Sequence, residues 1–264
     1  MMNAVRARGP RAILTFVVIG LVSGFMSGLF GVGGGTVIVP LLVTFALFSQ
    51  KIASGTSGAS IVVTAAIGVI AYAAQDEVDW IAGLLLAAGG IAGAQIGAHL
   101  LHVIRETVVR WIFVGFIAVM IVTLFLVVPE RGAGVPLDAW LAVALVGIGV
   151  VTGILSGLIG VGGGVIVVPV LIVLFGTSDL VAKGTSLLMM IPTTISGALR
   201  NAKNGNIDFV AAGAVAAATL LTTPLGALVA ALLDPSTANL LFIAFLVVIG
   251  VQMALKAIRG RRSS

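Results

Sequence analysis

Ser27-Gly28-Leu29-Phe30-Gly31-Val32-Gly33-Gly34-Gly35 runs into an apolar segment that holds Pro40. The pattern returns as Ser156-Gly157-Leu158-Ile159-Gly160-Val161-Gly162-Gly163-Gly164, and Pro169 follows. Gly35 and Gly164 are 129 positions apart, as are Pro40 and Pro169. The same offset carries Gly55-Thr56-Ser57 onto Gly184-Thr185-Ser186, Thr64 onto Thr193, Asp79 onto Asp208 and Gly97 onto Gly226. A register kept without gaps over this distance makes the chain a duplicated unit.

The triple glycines set the local structure of each copy. Each glycine weakens a helix by about 1 kcal/mol relative to alanine, so three in a row mark a break. Gly20, Gly24 and Gly28 differ, as do Gly149, Gly153 and Gly157. They recur every fourth residue, the spacing at which small side chains let two membrane helices approach closely.

Composition fixes the solvent. Of 264 residues, 60% are hydrophobic and 9% charged, with a mean hydropathy of +1.27. A soluble domain carries about 25% charged residues, so this chain is expected to be an integral membrane protein that meets the lipid bilayer. There is no cysteine, which excludes disulfides, thiolate metal sites and cysteine nucleophiles. Two histidines, His99 and His102, are too few for a histidine metal cage, and no cofactor is expected. The net charge of +5 gathers at the two ends, where it orients a membrane protein rather than binding nucleic acid.

A crossing needs about 20 apolar residues. The first half offers runs at 12–30, 36–48, 55–74, 80–101 and 108–128; the second at 139–159, 165–175, 184–199, 207–233 and 238–255. The expected organisation is a cytoplasmic N-terminal segment 1–11, a first repeat 12–128, a linker 129–138, a second repeat 139–258 and a basic tail 259–264. The run 36–48 makes a helix of only about 20 Å. Each long-plus-short pair is therefore a re-entrant hairpin, a double crossing or one broken crossing. The first two give each half an odd number of crossings and invert the halves; the third makes them parallel. With both termini inside, inversion puts twelve of the fourteen lysines and arginines on the inner face, and parallel halves put ten there. The positive-inside rule favours inversion. The expected fold is all-α: two inverted repeats of about 129 residues, each a glycine-broken helix pair plus three transmembrane helices. All nine acidic residues, with Lys183 and the other bases, fall in expected connections or at segment ends.

Three chemistries compete for the glycine breaks. Gly31-Val32-Gly33-Gly34-Gly35-Thr36 lacks the last glycine of a dinucleotide loop, and no phosphate-loop lysine follows. Packing explains the every-fourth-residue glycines but not the triplets. The third reading is an anion site. Helices opening at Thr36 and Val165 present unpaired N–H groups and positive dipole ends to the break, which bind anions without arginine. Broken helices of this kind surround substrates in inverted-repeat transporters. The expected substrate residues are Gly33, Gly34, Gly35, Thr36, Gly162, Gly163, Gly164 and Val165. Thr56, Ser57, Thr185 and Ser186 follow as hydroxyl donors, with N-capping of the next helices as their competing role. Gln95 and Asn201 are further candidate polar contacts. An enzyme would need a buried acid, base or nucleophile; Ser27 or Ser156 with His99 is the one pair on offer, and packing explains those serines better.

The doubled Ser-Gly-Leu-x-Gly-Val-Gly-Gly-Gly with its later proline resembles the sulfite exporter TauE/SafE family of membrane proteins. The Gly-Thr-Ser copies and the starts at Asp79-Trp80 and Asp208-Phe209 share the resemblance, which covers residues 12–258. It implies a secondary transporter of small sulfur-containing anions, such as sulfite, thiosulfate or organosulfonates, in the cell membrane. Proton or sodium coupling fits such a transporter; an uncoupled channel-like facilitator is the alternative. Trp80 becomes Phe209 and Gly58 becomes Leu187 between the copies, so the halves need not contribute equally.

Overall fold

Pro10 opens the first helix, α1 (Pro10–Phe30), and a left-handed Gly31 closes it. Proline lacks an N–H that the first turn has no use for, and glycine takes positive φ without a Cβ clash. The computed structural model describes residues 9–100, 139–261 and scattered helical positions between 111 and 125. Among the described residues there follow α2 (Gly35–Phe45), α3 (Gln50–Ala73), α4 (Trp80–Leu100), α5 (Ala139–Ile159), α6 (Gly164–Phe175), α7 (Asp179–Lys203), α8 (Phe209–Leu232) and α9 (Pro235–Arg261). The expected run 108–128 is thus described only in part. Residues 1–8, His102, Arg105, Arg110, the linker 129–138 and residues 262–264 lie outside the described residues, as does the side chain of His99.

The regular structure among the described residues is all helical, and six of these helices are long and apolar enough to cross a membrane: α1, α3, α4, α5, α8 and α9. Leu14, Trp140, Leu221 and Leu232 stand exposed on their outer faces. Water would not tolerate so much apolar surface; lipid does. The short helices α2 and α6 are mostly buried, with Ile38, Leu42, Val167 and Leu171 inaccessible.

Two helices start earlier than the hydropathy suggests. Runs expected from Gly55 and Gly184 begin at Gln50 and Asp179. Their caps are Ser49 and Ser178, whose hydroxyls accept from Ile52 N at 3.4 Å and Val181 N at 3.1 Å. The Gly-Thr-Ser triplets therefore do not cap these helices; they lie inside them. Lys51 in one copy and Asp179 and Lys183 in the other dilute the apolar signal and hide the first turns.

The glycine break reverses the chain. A Cβ on Gly34 would stand 2.9 Å from the Ser23 carbonyl oxygen, and the Phe48 ring lies 6.0 Å from that of Phe16. Rising numbers in and beyond α2 meet falling numbers in α1, so the two form an antiparallel hairpin rather than one broken crossing. Thr152 of α5 stands against Gly163 in the same way.

Each half packs into the other. Gly20, Gly24 and Gly28 of α1 meet Val215, Thr219 and Thr223 of α8. Gly149 and Gly153 of α5 meet Leu86 and Gly90 of α4. These are one contact set displaced by 129 residues with the halves exchanged, and the every-fourth-residue glycines are its close-approach points. At the centre α3 and α7 cross in opposite directions: Gly55 approaches Asn201 and Asn206, while Gly184 approaches Tyr72 and Glu77.

Candidate functional site

Gly31, Gly33 and Gly34 all take positive φ, at 68°, 71° and 76°. Gly160, Gly162 and Gly163 repeat this at 75°, 88° and 90°. An L side chain is strained in that region, so the tight reversal requires glycine. Each turn begins with the same bond: Gly31 N donates to Ser27 O at 2.8 Å, and Gly160 N to Ser156 O at 2.7 Å.

The two turns touch. A Cβ on Gly35 would stand 2.7 Å from the Val161 carbonyl oxygen, and one on Gly164 would stand 2.6 Å from that of Gly31. Gly33 and Gly162 both lie against Ile61 of α3 and Met190 of α7. The structure thus brings Gly33–Gly35 and Gly162–Gly164 together at the mid-length crossing of α3 and α7. Thr36 and Val165, both fully buried, sit in the first turns of α2 and α6. Neither Gly34 nor Gly163 caps its helix with a side chain. The first N–H groups of such a helix have no acceptor within it, and the dipole places about half a positive charge there.

Three buried hydroxyls near the turns lack a hydrogen-bond partner among the described residues: Ser27 Oγ, Thr36 Oγ1 and Thr152 Oγ1. A polar atom buried this way calls for a ligand or water. Sequence reading assigns Ser27 to packing and passes over Thr152, because hydroxyls inside an apolar helix usually bond back to their own carbonyls. Ser23 does so, donating to Ile19 O at 2.6 Å.

The four expected hydroxyl donors each bond to the opposite half. Thr56 Oγ1 accepts from Asp208 N at 3.0 Å, and Thr185 Oγ1 from Asp79 N at 2.9 Å. Asp208 in turn caps α8, taking Ala211 N at 3.0 Å, and Asp79 takes Ala82 N at 2.9 Å at the start of α4. Ser57 Oγ donates to Gly160 O at 3.4 Å and Ser186 Oγ to Gly31 O at 3.1 Å. These residues tie each half to the turn and helix start of the other. Gln95 Nε2 donates to Ser196 Oγ at 2.7 Å, and Asn201 Nδ2 to Gly197 O at 3.2 Å.

Lys183 is not in a solvated connection: it is 2% exposed, inside α7, and its Nζ donates to Asp179 Oδ2 at 2.9 Å. The i, i+4 spacing lets one helix bring the pair together. Lys183 also lies along Gly31, so an ion pair stands beside the first glycine turn.

A cavity of ≈ 40 Å³ reaches the second turn at Gly160 and Gly162. Ser54 and Lys51 of α3 line it, together with Thr194 and Asn201 of α7. A single water needs about 10–15 Å³, so the cavity has room for about three waters.

The sulfite exporter TauE/SafE family model matches residues 2–124 and 145–264. Among curated proteins, the probable membrane transporter protein YunE of Bacillus subtilis is 27% identical over 270 residues, covering 94% of this chain and 99% of its own. YjnA of the same organism, also a probable membrane transporter protein, is 28% identical and covers 84% and 90%. A probable membrane transporter protein of Xylella fastidiosa is 30% identical and covers 77% and 82%. No solved structure matches the chain.

Proposed function

The chain belongs to the sulfite exporter TauE/SafE family, a family of membrane transporters and not of enzymes, and from that premise we propose that it carries small sulfur oxyanions or organosulfonates by secondary transport. The observation that carries this reading is the pair of facing glycine turns. Each opens a helix whose N-terminus has no side-chain cap, and the two lie together at mid-molecule. Backbone N–H groups and dipoles hold an anion there without a lysine or arginine in the turn. The partnerless hydroxyls of Ser27, Thr36 and Thr152 supply further donors. A low-dielectric setting strengthens that attraction relative to water. The substrate shell is Gly33–Thr36 and Gly162–Val165; Thr56, Ser57, Thr185 and Ser186 hold the turns in position.

The halves form an inverted repeat in this reading. The antiparallel crossing of α3 and α7 and the hairpins α1–α2 and α5–α6 support it. Lys51, Arg200 and Lys203 then lie on the cytoplasmic side with both termini. Cysteines placed singly at Glu77 and Lys51 should label from opposite sides of the cell membrane, Glu77→Cys from outside. Labelling of both from one side would contradict the inversion.

Substrate class is tested on purified protein by thermal shift against sulfite, sulfate, thiosulfate, sulfonates and carboxylates. A bound anion stabilises by RT ln(1 + [L]/Kd), so the midpoint ranks affinities. A rise with sulfite, thiosulfate or a sulfonate is expected; stabilisation by carboxylates alone would contradict the sulfur reading.

A further inference from the structure

The cavity reaches the second glycine turn, and the duplicated sequence shows what stands at the counterpart positions around the first turn. Displacing its lining by 129 residues moves Asn201 onto Tyr72, Gly58 onto Leu187, Ser54 onto Lys183 and Ala198 onto Val69. Each of these four replacements is larger, whereas Lys51 and Thr194 have the smaller counterparts Leu180 and Ala65. Because α3 and α7 are antiparallel, these larger residues occupy the opposite face of the molecule. Tyr72, Leu187 and Lys183 are 0%, 0% and 2% exposed, whereas Ser54, Gly58 and Asn201 are each partly open.

The filling residues touch the machinery of the first turn. Tyr72 Oη donates to Gly28 O at 2.6 Å. Gly28 is the counterpart of Gly157, which lines the open cavity. A Cβ on Gly68 would stand 2.6 Å from Leu187 Cδ1, so Leu187 fills the space beside α3. Lys183 closes on Gly31 itself.

We propose that Tyr72 and Leu187 are the gate of the substrate path on the face opposite Lys51, closing by side-chain volume the route that Asn201 and Gly58 leave open on the other face. The assignment rests on the transport reading above and adds the residues that control passage. A repeat pair of equal halves would open either way by exchanging backbone arrangements. Here Tyr72, Leu187 and Lys183 are buried on the closed side. Passage requires the Tyr72 hydroxyl to leave the Gly28 carbonyl and Leu187 to swing from Gly68. The two faces therefore do not open with equal ease.

The cysteine-free chain allows a direct test in sealed vesicles of both orientations, with a small anionic methanethiosulfonate reagent as the probe. Ser156→Cys, in the cavity wall, should react from the Lys51 face. Its counterpart Ser27→Cys should react at least tenfold more slowly from either face. Adding Tyr72→Asn and Leu187→Gly, which give the closed side the residues of the open one, should raise the Ser27→Cys rate at least tenfold from the opposite face alone. Leu187→Ala with Ser27→Cys is a milder second variant and should give about a threefold rise, estimated from partial loss of packed volume. Ser27→Cys reacting as fast as Ser156→Cys with the gate intact would overturn the proposal. So would an unchanged Ser27→Cys rate in both gate variants while Ser156→Cys still reacts in those backgrounds. Thiol reactivity does not depend on which anion is carried, so this result and that of the substrate screen fail separately.

Discussion

Gly34→Leu and Gly163→Leu should each abolish anion binding and cut flux at least tenfold. The backbone at these positions has φ of 76° and 90°, where an L residue costs about 1–2 kcal/mol. The new Cβ would stand 2.9 Å from Ser23 O in one turn and 2.7 Å from Thr152 Cγ2 in the other. Beyond that, a leucine would cover the N–H groups that the reading assigns to the anion. Gly213→Ala is the matched control. It lies within α8 with nothing within 4 Å of its Cβ position, so it should leave flux unchanged and gain about 1 kcal/mol of helix propensity. Flux in proteoliposomes and elution as a folded species are the two readouts. Undiminished flux in both folded leucine variants would move the site elsewhere.

Lys183→Met should lower stability by about 3–5 kcal/mol, the usual cost of stripping one partner from a buried ion pair. Asp179 is itself 2% exposed, at the start of α7. Asp179→Asn with Lys183→Met should cost less than Lys183→Met alone, because the double change leaves no charge of the pair buried. Thermal midpoints in detergent read the comparison directly. A double variant less stable than either single variant would show that these charges serve separate partners.

Much of this molecule is visible in its sequence because the duplication is ungapped. Gly33–Gly35 and Gly162–Gly164 mark the breaks through the cost of glycine in a helix, and Asp79 and Asp208 mark helix starts as capping residues. The first turns of α3 and α7 were hidden for a definite reason. Lys51, Asp179 and Lys183 lower the local hydropathy, and a one-dimensional pattern does not reveal that Asp179 and Lys183 neutralise each other four residues apart. Nor does it show that Thr56 and Thr185 serve the opposite half, since hydrogen bonds between Thr56 and Asp208 join residues far apart in the chain. Ser27 and Thr152 look like packing residues until the helices are assembled and their hydroxyls have no partner among the described residues. The unequal lining around the two turns comes closest to being readable. Gly58 facing Leu187 in the repeat alignment announces unequal halves, but only the crossing of α3 and α7 turns that inequality into opposite faces.

The most direct measurement is the movement of radiolabelled sulfite and thiosulfate into liposomes holding the purified, folded chain. The account predicts saturable uptake of one or both above protein-free liposomes, competed by unlabelled sulfonate and abolished by Gly163→Leu. Uptake no faster than in protein-free liposomes, for every sulfur anion offered and under both proton and sodium gradients, would contradict it.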